Sequence, residues 1–164
     1  MARTVLYEHF EVYETDTLPE YDYIISFINS IILSQEVLDK AKIAAINFHT
    51  APPKYPGTGG YSYALYYGDK KFGVTCHHMD ELIDHGPIIE VDWFDIYANA
   101  TIDSLLKRAH RRSLLQFIKI ITYILHEVPL PVSSYKWRTN MAYKRSYMKI
   151  INKRLRLIKT ERIS

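Results

Sequence analysis

The sequence predicts an α/β domain whose sheet is short, mostly parallel and flanked by helices. Two apolar runs, residues 21–28 and 43–48, are rich in Ile and aromatic side chains and have the length of buried strands. Between them Ser34 can cap a short helix that continues to Lys42. A strand, a short helix and a second strand in this order are typical of a parallel βαβ unit.

The rest of the chain supplies further strands and the helix that covers the sheet. Residues 72–79 and 88–96 have the composition of strands, and residues 4–13, rich in Val, Tyr and Phe, predict an edge strand. Apolar side chains recur at helical spacing from residue 102 to residue 125, and Thr101 can cap this helix. We therefore expect a long amphipathic helix that packs on the sheet.

Composition places the chain among globular proteins. Its 164 residues are 48% hydrophobic and 24% charged, which is enough for one domain with its own core. The single cysteine, Cys76, excludes an intramolecular disulfide framework. No apolar run reaches the length that spans a membrane, and the N-terminus lacks the pattern of a secretory signal, so a cytoplasmic protein without a membrane span is expected.

The net charge of +3 hides a strong asymmetry along the chain. Ten of the 21 Lys and Arg residues, but only one of the 18 acidic residues, follow Val132. We therefore divide the chain into a core, residues 1–132, and a basic, helical C-terminal extension, residues 133–164. The extension could bind phosphates of a nucleotide or of RNA. It could equally be a solvated helix whose Lys and Arg stems cover apolar surface.

Polar side chains follow two of the predicted strands. Asn47 and His49 stand two residues apart at a strand end, so they face the same side. Asp84 comes from the turn after the strand at residues 72–79. An amide and an imidazole can donate hydrogen bonds to a developing oxyanion, and a carboxylate can accept a proton from an attacking amine. Together these groups suit an acyl transfer in which the amine attacks directly.

This part of the sequence resembles the active-site half of the folate-dependent formyltransferases. The resemblance extends over residues 21–125, and its order and spacing are specific. It rests on Asn47-Phe48-His49, the loop Pro52-Pro53-Lys54-Tyr55-Pro56-Gly57, the strand end Gly73-Val74-Thr75-Cys76-His77-His78-Met79-Asp80 and the turn Asp84-His85-Gly86-Pro87-Ile88. The resemblance implies a Rossmann-like formyltransferase core, here lacking the usual N-terminal half. It also implies that Asn47, His49 and Asp84 are the catalytic residues.

The same resemblance implies N10-formyltetrahydrofolate as the formyl donor and suggests which residues bind the substrates. For the apolar positions, simple core packing is the alternative interpretation. No metal site is expected, because His77 and His78 are adjacent in a strand and point to opposite faces. The candidate donor-binding residues are Phe27, Ile31, Ile32, Leu33, His78 and Asp80, and the candidates for the amine substrate are Tyr55, Gly57 and Tyr61.

Three kinds of formyl acceptor compete within the family that the chain resembles. A nucleotide-linked amino sugar is favoured, since a Gly-rich phosphate loop for a ribonucleotide and a large tRNA-binding domain are both missing from the sequence. The alternatives are a methionyl-tRNA formyltransferase-like or formyltetrahydrofolate hydrolase activity, and a non-catalytic remnant that binds nucleic acid or protein. Nucleic acid binding through the basic extension is not favoured. A homodimer that covers the edge of the short sheet is a further expectation.

Overall fold

The computed structural model describes residues 20–29, 31–138, 150–153 and 155. The edge strand predicted at residues 4–13 lies outside the described residues, and so does most of the basic extension. The elements in chain order are β1 (Tyr21–Phe27), α1 (Gln35–Leu38), β2 (Ala41–His49), α2 (Gly60–Tyr67), β3 (Lys71–His78), β4 (Ile88–Asp95) and α3 (Ile102–Leu125).

The described strands form one sheet in the order β1-β2-β3-β4. β1 and β2 are parallel, as the βαβ pattern predicts, and β3 is antiparallel to both β2 and β4. Three of the four strands therefore run in one direction, and the predicted α/β class is confirmed. The sheet nevertheless contains antiparallel as well as parallel pairs of neighbouring strands. β3 and β4 form an antiparallel pair because a short loop joins them, and such a connection places adjacent strands in opposite directions.

Helix α1 is shorter than the sequence predicts. Ser34 caps it as expected, since its hydroxyl accepts a hydrogen bond from the backbone N–H of Val37. The helix ends at Leu38 rather than near Lys42, because β2 already begins at Ala41 and pairs there with the first residue of β1. The parallel pairing therefore determines where the helix stops.

Helix α3 covers the sheet, as its apolar periodicity predicts. Thr101 and Ser104 form a reciprocal capping box at its N-terminus, which satisfies two backbone donors that would otherwise lack partners. Arg112 forms an ion pair with Asp92 of β4 at 3.3 Å, and Lys119, about two turns further along the helix, pairs with Glu90 of the same strand. Among the described residues, no helix combines the length and the apolar character needed to cross a membrane.

Two clusters of buried side chains lie beneath the two halves of α3. The first half packs with the cluster that includes Phe72 and Phe94, and the second half packs with the cluster that includes Ile46 and Phe48. Fully burying one such side chain stabilises the fold by about 1.5–3 kcal/mol. Because Phe48 points into the core, the alternation along β2 turns its two neighbours in the chain, one an amide and one an imidazole, to the opposite side of the strand.

Candidate active site

Strands β2 and β3 deliver an amide and two imidazoles side by side. Asn47 stands opposite His77 in the antiparallel register, and the Asn47 Nδ2 atom lies 3.1 Å from the His77 Nε2 atom. His49 follows two residues later on the same side of β2. Opposite His49, the Thr75 hydroxyl donates a hydrogen bond of 2.7 Å to the carbonyl of Ala51, which fixes the direction in which the chain leaves the sheet.

The carboxylate of Asp84 lies between the two imidazoles. Its Oδ2 atom accepts a hydrogen bond of 2.6 Å from the backbone N–H of Gly57 and lies 3.3 Å from the Nδ1 atom of His49. Its Oδ1 atom lies 3.5 Å from the Nε2 atom of His77. The structure therefore brings together all three residues of the predicted trio, Asn47 among them. Asp84 has a φ of +47°, a left-handed conformation that costs a non-glycine residue about 1–2 kcal/mol.

The electrostatics of this cluster keep the carboxylate charged and the nearest imidazole uncharged. Burial alone would raise the pKa of Asp84, but His49, His77 and the N–H of Gly57 together outweigh it and hold that pKa below its ordinary value. Burial lowers the pKa of His49 below its ordinary value, against the attraction of Asp84 and the hydrogen bond to Tyr55. At neutral pH the site therefore contains an ionised carboxylate beside a neutral imidazole.

Both ring nitrogens of His49 have partners in the protein. The Nε2 atom lies 2.9 Å from the carbonyl oxygen of Tyr55, and a carbonyl can only accept, so the proton of the neutral ring is on Nε2. The Nδ1 atom then turns its lone pair toward Asp84. That contact becomes a hydrogen bond when the ring takes up a second proton, so the His49–Asp84 pair is arranged to receive a proton.

His77 is the residue that the sequence interpretation missed. It is 2% exposed, its Nδ1 atom donates to the carbonyl of His78 at 2.8 Å, and its Nε2 atom can accept from the amide of Asn47. The sequence nominated His78 instead, which lies on the other side of β3 and does not line the pocket. The signal that could have found His77 is strand alternation, because buried Cys76 next to it points into the core.

A pocket of about 640 Å³ opens beside the polar cluster. Asn47, His49, His77 and Asp84 all contribute to its lining. The other lining residues form apolar groups and a glycine-rich group. They include Ile28, Ile31, Ile32 and Leu33 after β1, Leu82 and Ile83 before Asp84, and the residues from Gly57 to Tyr61.

The structure places the predicted binding residues in two groups. Six of them line the pocket: Ile31, Ile32, Leu33, Asp80, Gly57 and Tyr61. Phe27 lies elsewhere, because its ring packs in the core against Phe48 and Phe117, with centroids 5.8 Å and 4.9 Å away. Tyr55 is fully buried, and its hydroxyl donates to Asp69 at 2.6 Å, so its side chain is closed to a substrate.

The fold and the site together define an α/β domain with a candidate acyl-transfer site. The family model for formyl transferases matches residues 11–121, so the chain belongs to the formyl transferase family, as the sequence motifs indicate. The chain is 35% identical over 105 residues to the bifunctional polymyxin resistance protein ArnA of Wigglesworthia glossinidia brevipalpis. It is 31% identical over 134 residues to the methionyl-tRNA formyltransferase of the same organism.

These relatives are longer than the chain. The match to ArnA covers 63% of this chain and 16% of the relative, and the match to the methionyl-tRNA formyltransferase covers 81% and 40%. Among solved structures, the formyltransferase PseJ from Anoxybacillus kamchatkensis is similar with a TM-score of 0.67 and 22% identity, over 84% of this chain and 71% of PseJ. That protein was solved with UDP-4,6-dideoxy-4-formamido-L-AltNAc and tetrahydrofolate. The likeness confirms the Rossmann-like formyltransferase fold.

Proposed function

We propose that this protein transfers a formyl group from N10-formyltetrahydrofolate to the primary amine of a nucleotide-linked amino sugar. One observation carries the proposal: Asn47, His49 and Asp84 converge on a single pocket, with the carboxylate ionised and the imidazole neutral. Those protonation states are the ones that an attack by an amine on a carbonyl requires, because the amine must lose a proton while the carbonyl oxygen gains charge.

The proposed reaction assigns a task to each member of the trio. The amine nitrogen forms a bond to the formyl carbon, and the bond from that carbon to N10 of the folate breaks. Asp84 accepts the proton that the amine loses, directly or through a water, and N10 takes up one proton as it leaves. The Asn47 amide and the His49 Nε2–H donate hydrogen bonds to the oxyanion. To do so, His49 gives up its hydrogen bond to the Tyr55 carbonyl.

The apolar walls of the pocket support a flat, partly apolar donor. Ile32, Leu82 and Ile83 are 66%, 54% and 58% exposed although they are large and apolar, and all three line the pocket. Exposed apolar side chains that converge on one pocket are typical of a site that a ligand covers. The tetrahydrofolate bound to the structurally similar PseJ supports the same donor for this chain.

The proposed acceptor rests on the sugar-modifying relatives and on the glycine-rich wall. PseJ was solved with a UDP-linked formamido sugar, and its likeness to this chain supports an acceptor of that class. Gly57 and Tyr61 belong to the glycine-rich part of the pocket lining, which we assign to the acceptor. Tyr61 adds a polar hydroxyl there, which forms a hydrogen bond of 2.7 Å with the hydroxyl of Thr50.

The test is a formyl-transfer assay with the full chain and N10-formyltetrahydrofolate. Acceptors are UDP- and dTDP-linked amino sugars, methionyl-tRNA, and water alone, and products are identified by mass spectrometry. Formylated sugar is the expected product. Formylmethionyl-tRNA as the product would show that the acceptor is methionyl-tRNA instead of a sugar, and formate alone would indicate a hydrolase. The absence of turnover together with the absence of 5-formyltetrahydrofolate binding would overturn the enzyme proposal in favour of a binding remnant.

Matched variants separate the proposed chemistry from folding. Asp84→Asn keeps an oxygen for the Gly57 N–H and removes the proton acceptor, so the rate should fall by about 10²–10⁴-fold. His77→Asn should also reduce the rate, because His77 contacts Asn47 and Asp84. His78→Asn is the control, since it makes the same change at the neighbouring position outside the pocket and should leave the rate unchanged.

A further inference from the structure

The segment that follows α3 ties together the two loops that complete the site. The backbone N–H of Ser133 donates to the carbonyl of Ile88 at 3.2 Å, at the start of β4. The indole N–H of Trp137 donates to the carbonyl of Gly86 at 2.7 Å, two residues after Asp84. The N–H of Arg138 donates to Pro53 at 2.9 Å, in the loop that follows His49. Residues 133–138 therefore connect the Asp84 loop to the His49 loop.

The indole of Trp137 contacts both imidazoles of the site. Its ring centroid lies 4.9 Å from that of His77, with an interplanar angle of 83°, and 5.8 Å from that of His49, with an angle of 62°. Both contacts have edge-to-face geometry, which is favourable for aromatic rings. Trp137 is not among the residues that line the pocket, so any influence on a bound substrate passes through the histidines.

We propose that Trp137 is a positioning residue that fixes the orientation of the His49 and His77 rings relative to Asp84 and excludes water from behind them. This inference rests on the proposed function, because positioning matters to a reaction only if those rings take part in one. The site requires a group that holds the planes of the two imidazole rings as well as their nitrogens. Hydrogen bonds hold the nitrogens of each imidazole but tolerate a tilt of the ring, whereas a perpendicular ring packed against it resists that tilt.

The anchor of the indole is itself rigid. A Cβ atom at Gly86 would lie 2.0 Å from the carbonyl oxygen of His78, so the Gly86 backbone is pressed against the end of β3. The same His78 oxygen accepts the hydrogen bond from the Nδ1 atom of His77. Trp137 is therefore hydrogen-bonded to a backbone segment that directly contacts the carbonyl that orients His77.

The experiment compares Trp137→Phe and Trp137→Ala with Trp93→Phe. Trp93 is the other tryptophan of the chain and packs against Tyr135, and its indole nitrogen has no hydrogen-bond partner among the residues that the structure describes. The primary readout is NMR titration of the imidazole nitrogens of His49 and His77 without any substrate. It is therefore independent of formyl transfer, and steady-state kinetics with N10-formyltetrahydrofolate are the second readout.

The expected results differ between the variants. In Trp137→Ala water reaches His49, so the pKa of His49 should rise toward its ordinary value, because burial is the largest cause of its lowering. Within the described residues, Asp84 and His77 are the titratable groups that act on His49, while Tyr55 contributes an uncharged carbonyl. The kcat should fall by at least about 10-fold, with the KM of the donor changed less than about 3-fold, because a small misplacement mainly affects the transition state.

The conservative variant distinguishes positioning from folding. Trp137→Phe keeps an aromatic ring beside the imidazoles but loses the N–H that donates to Gly86, so the pKa of His49 and the kcat should both lie between those of Trp137→Ala and those of the unchanged protein. This intermediate result remains measurable even if Trp137→Ala folds poorly. Trp93→Phe should resemble the unchanged protein in both readouts. Unaltered imidazole spectra in Trp137→Ala would overturn the inference. If the spectra change in that variant while the unchanged protein transfers no formyl group, the positioning contact stands and only the proposed reaction fails.

Discussion

Adding one methyl group at Gly86 should displace the loop that carries Asp84. A Cβ atom at this position would lie 2.0 Å from the carbonyl oxygen of His78 and 2.9 Å from its carbonyl carbon, whereas ordinary contact begins at 3.4 Å. The loop must therefore shift by about 1.4 Å. The His78 carbonyl cannot yield instead, because the backbone N–H of that residue is bonded to Pro87 and its oxygen accepts from His77.

A shift of this size exceeds what the carboxylate contacts tolerate. Asp84 is two residues from Gly86, and its carboxylate is bonded to the Gly57 N–H at 2.6 Å and lies 3.3 Å from His49. A misplacement of about 1 Å costs an enzyme about 10²-fold in rate, so Gly86→Ala should reduce kcat by about that factor. The overpacking should also lower the free energy of unfolding by about 1–3 kcal/mol.

The assay pairs single-turnover formyl transfer with urea unfolding, and Gly68→Ala is the matched control. No atom of the described part of the chain lies within 4 Å of a Cβ placed at Gly68, and the φ of +67° at this residue makes any side chain strained there. Its substitution should cost about 1 kcal/mol of stability and leave kcat unchanged. If Gly86→Ala keeps both the rate and the urea midpoint of the unchanged protein, the argument from the close approach of the loop to β3 is refuted.

Three further changes test the core, the pocket wall and the linked titrations. Phe48→Ala should lower the free energy of unfolding by about 3–5 kcal/mol in urea, because it empties a fully buried site among packed rings. Tyr61→Phe removes the hydroxyl bonded to Thr50 and should raise the KM of the acceptor by less than about 10-fold, since one hydrogen bond is worth about 1 kcal/mol. The pKa of His49 is lower in the folded state than its ordinary 6.5, so the unfolded chain binds more protons and stability should fall as pH drops below about 6.5. Urea titrations from about pH 7.5 to about pH 5 should show this slope in the unchanged protein and a smaller one in His49→Asn. The lowered pKa of Asp84 adds a loss of the same sign only further down, below 3.8.

The convergence of Asn47, His49 and Asp84 could be predicted in part from local geometry. Asn47 and His49 are two residues apart on a strand, so they share a side whatever the rest of the fold does. Asp84 lies in the nine residues that join β3 to β4, and contacts with the Gly57 N–H and His49 hold its carboxylate at the site. The motif spacing around these residues therefore contains most of the information that the structure later displays at the site.

The residues that sequence reasoning misplaced depend on pairing between strands. β3 is buried along almost its whole length, so apolar composition alone did not separate His77 from His78, and the alternation with core-facing Cys76 was needed. Phe27 stands beside Phe48 in the parallel pair β1–β2 and therefore follows it into the core. Neither relation can be read from composition, because a shift of one residue in register reverses the side to which every side chain points.

Tyr55 illustrates a different limit. Its loop composition predicts exposure, but its N–H bonds to the carbonyl of Pro52, and this turn directs the ring into the core beside Phe72. The same turn presents the Tyr55 carbonyl to His49, so the residue contributes to the site through its backbone rather than its ring. A backbone contribution leaves no trace in the side-chain pattern, which is why the sequence assigned this residue to the substrate.

The arrangement of protons indicates where specificity must arise. The Tyr55 carbonyl holds the proton of neutral His49 on Nε2, so the Nδ1 atom and Asp84 together form a place for one additional proton. In the proposed reaction an attacking amine delivers one proton to this cluster, and an attacking water would do the same, so the cluster is suited to transfer and to hydrolysis alike. The choice between them therefore depends on which nucleophile the neighbouring wall holds against the formyl carbon. Gly57 and Tyr61, rather than the trio, are for this reason the positions at which substitutions should change the acceptor.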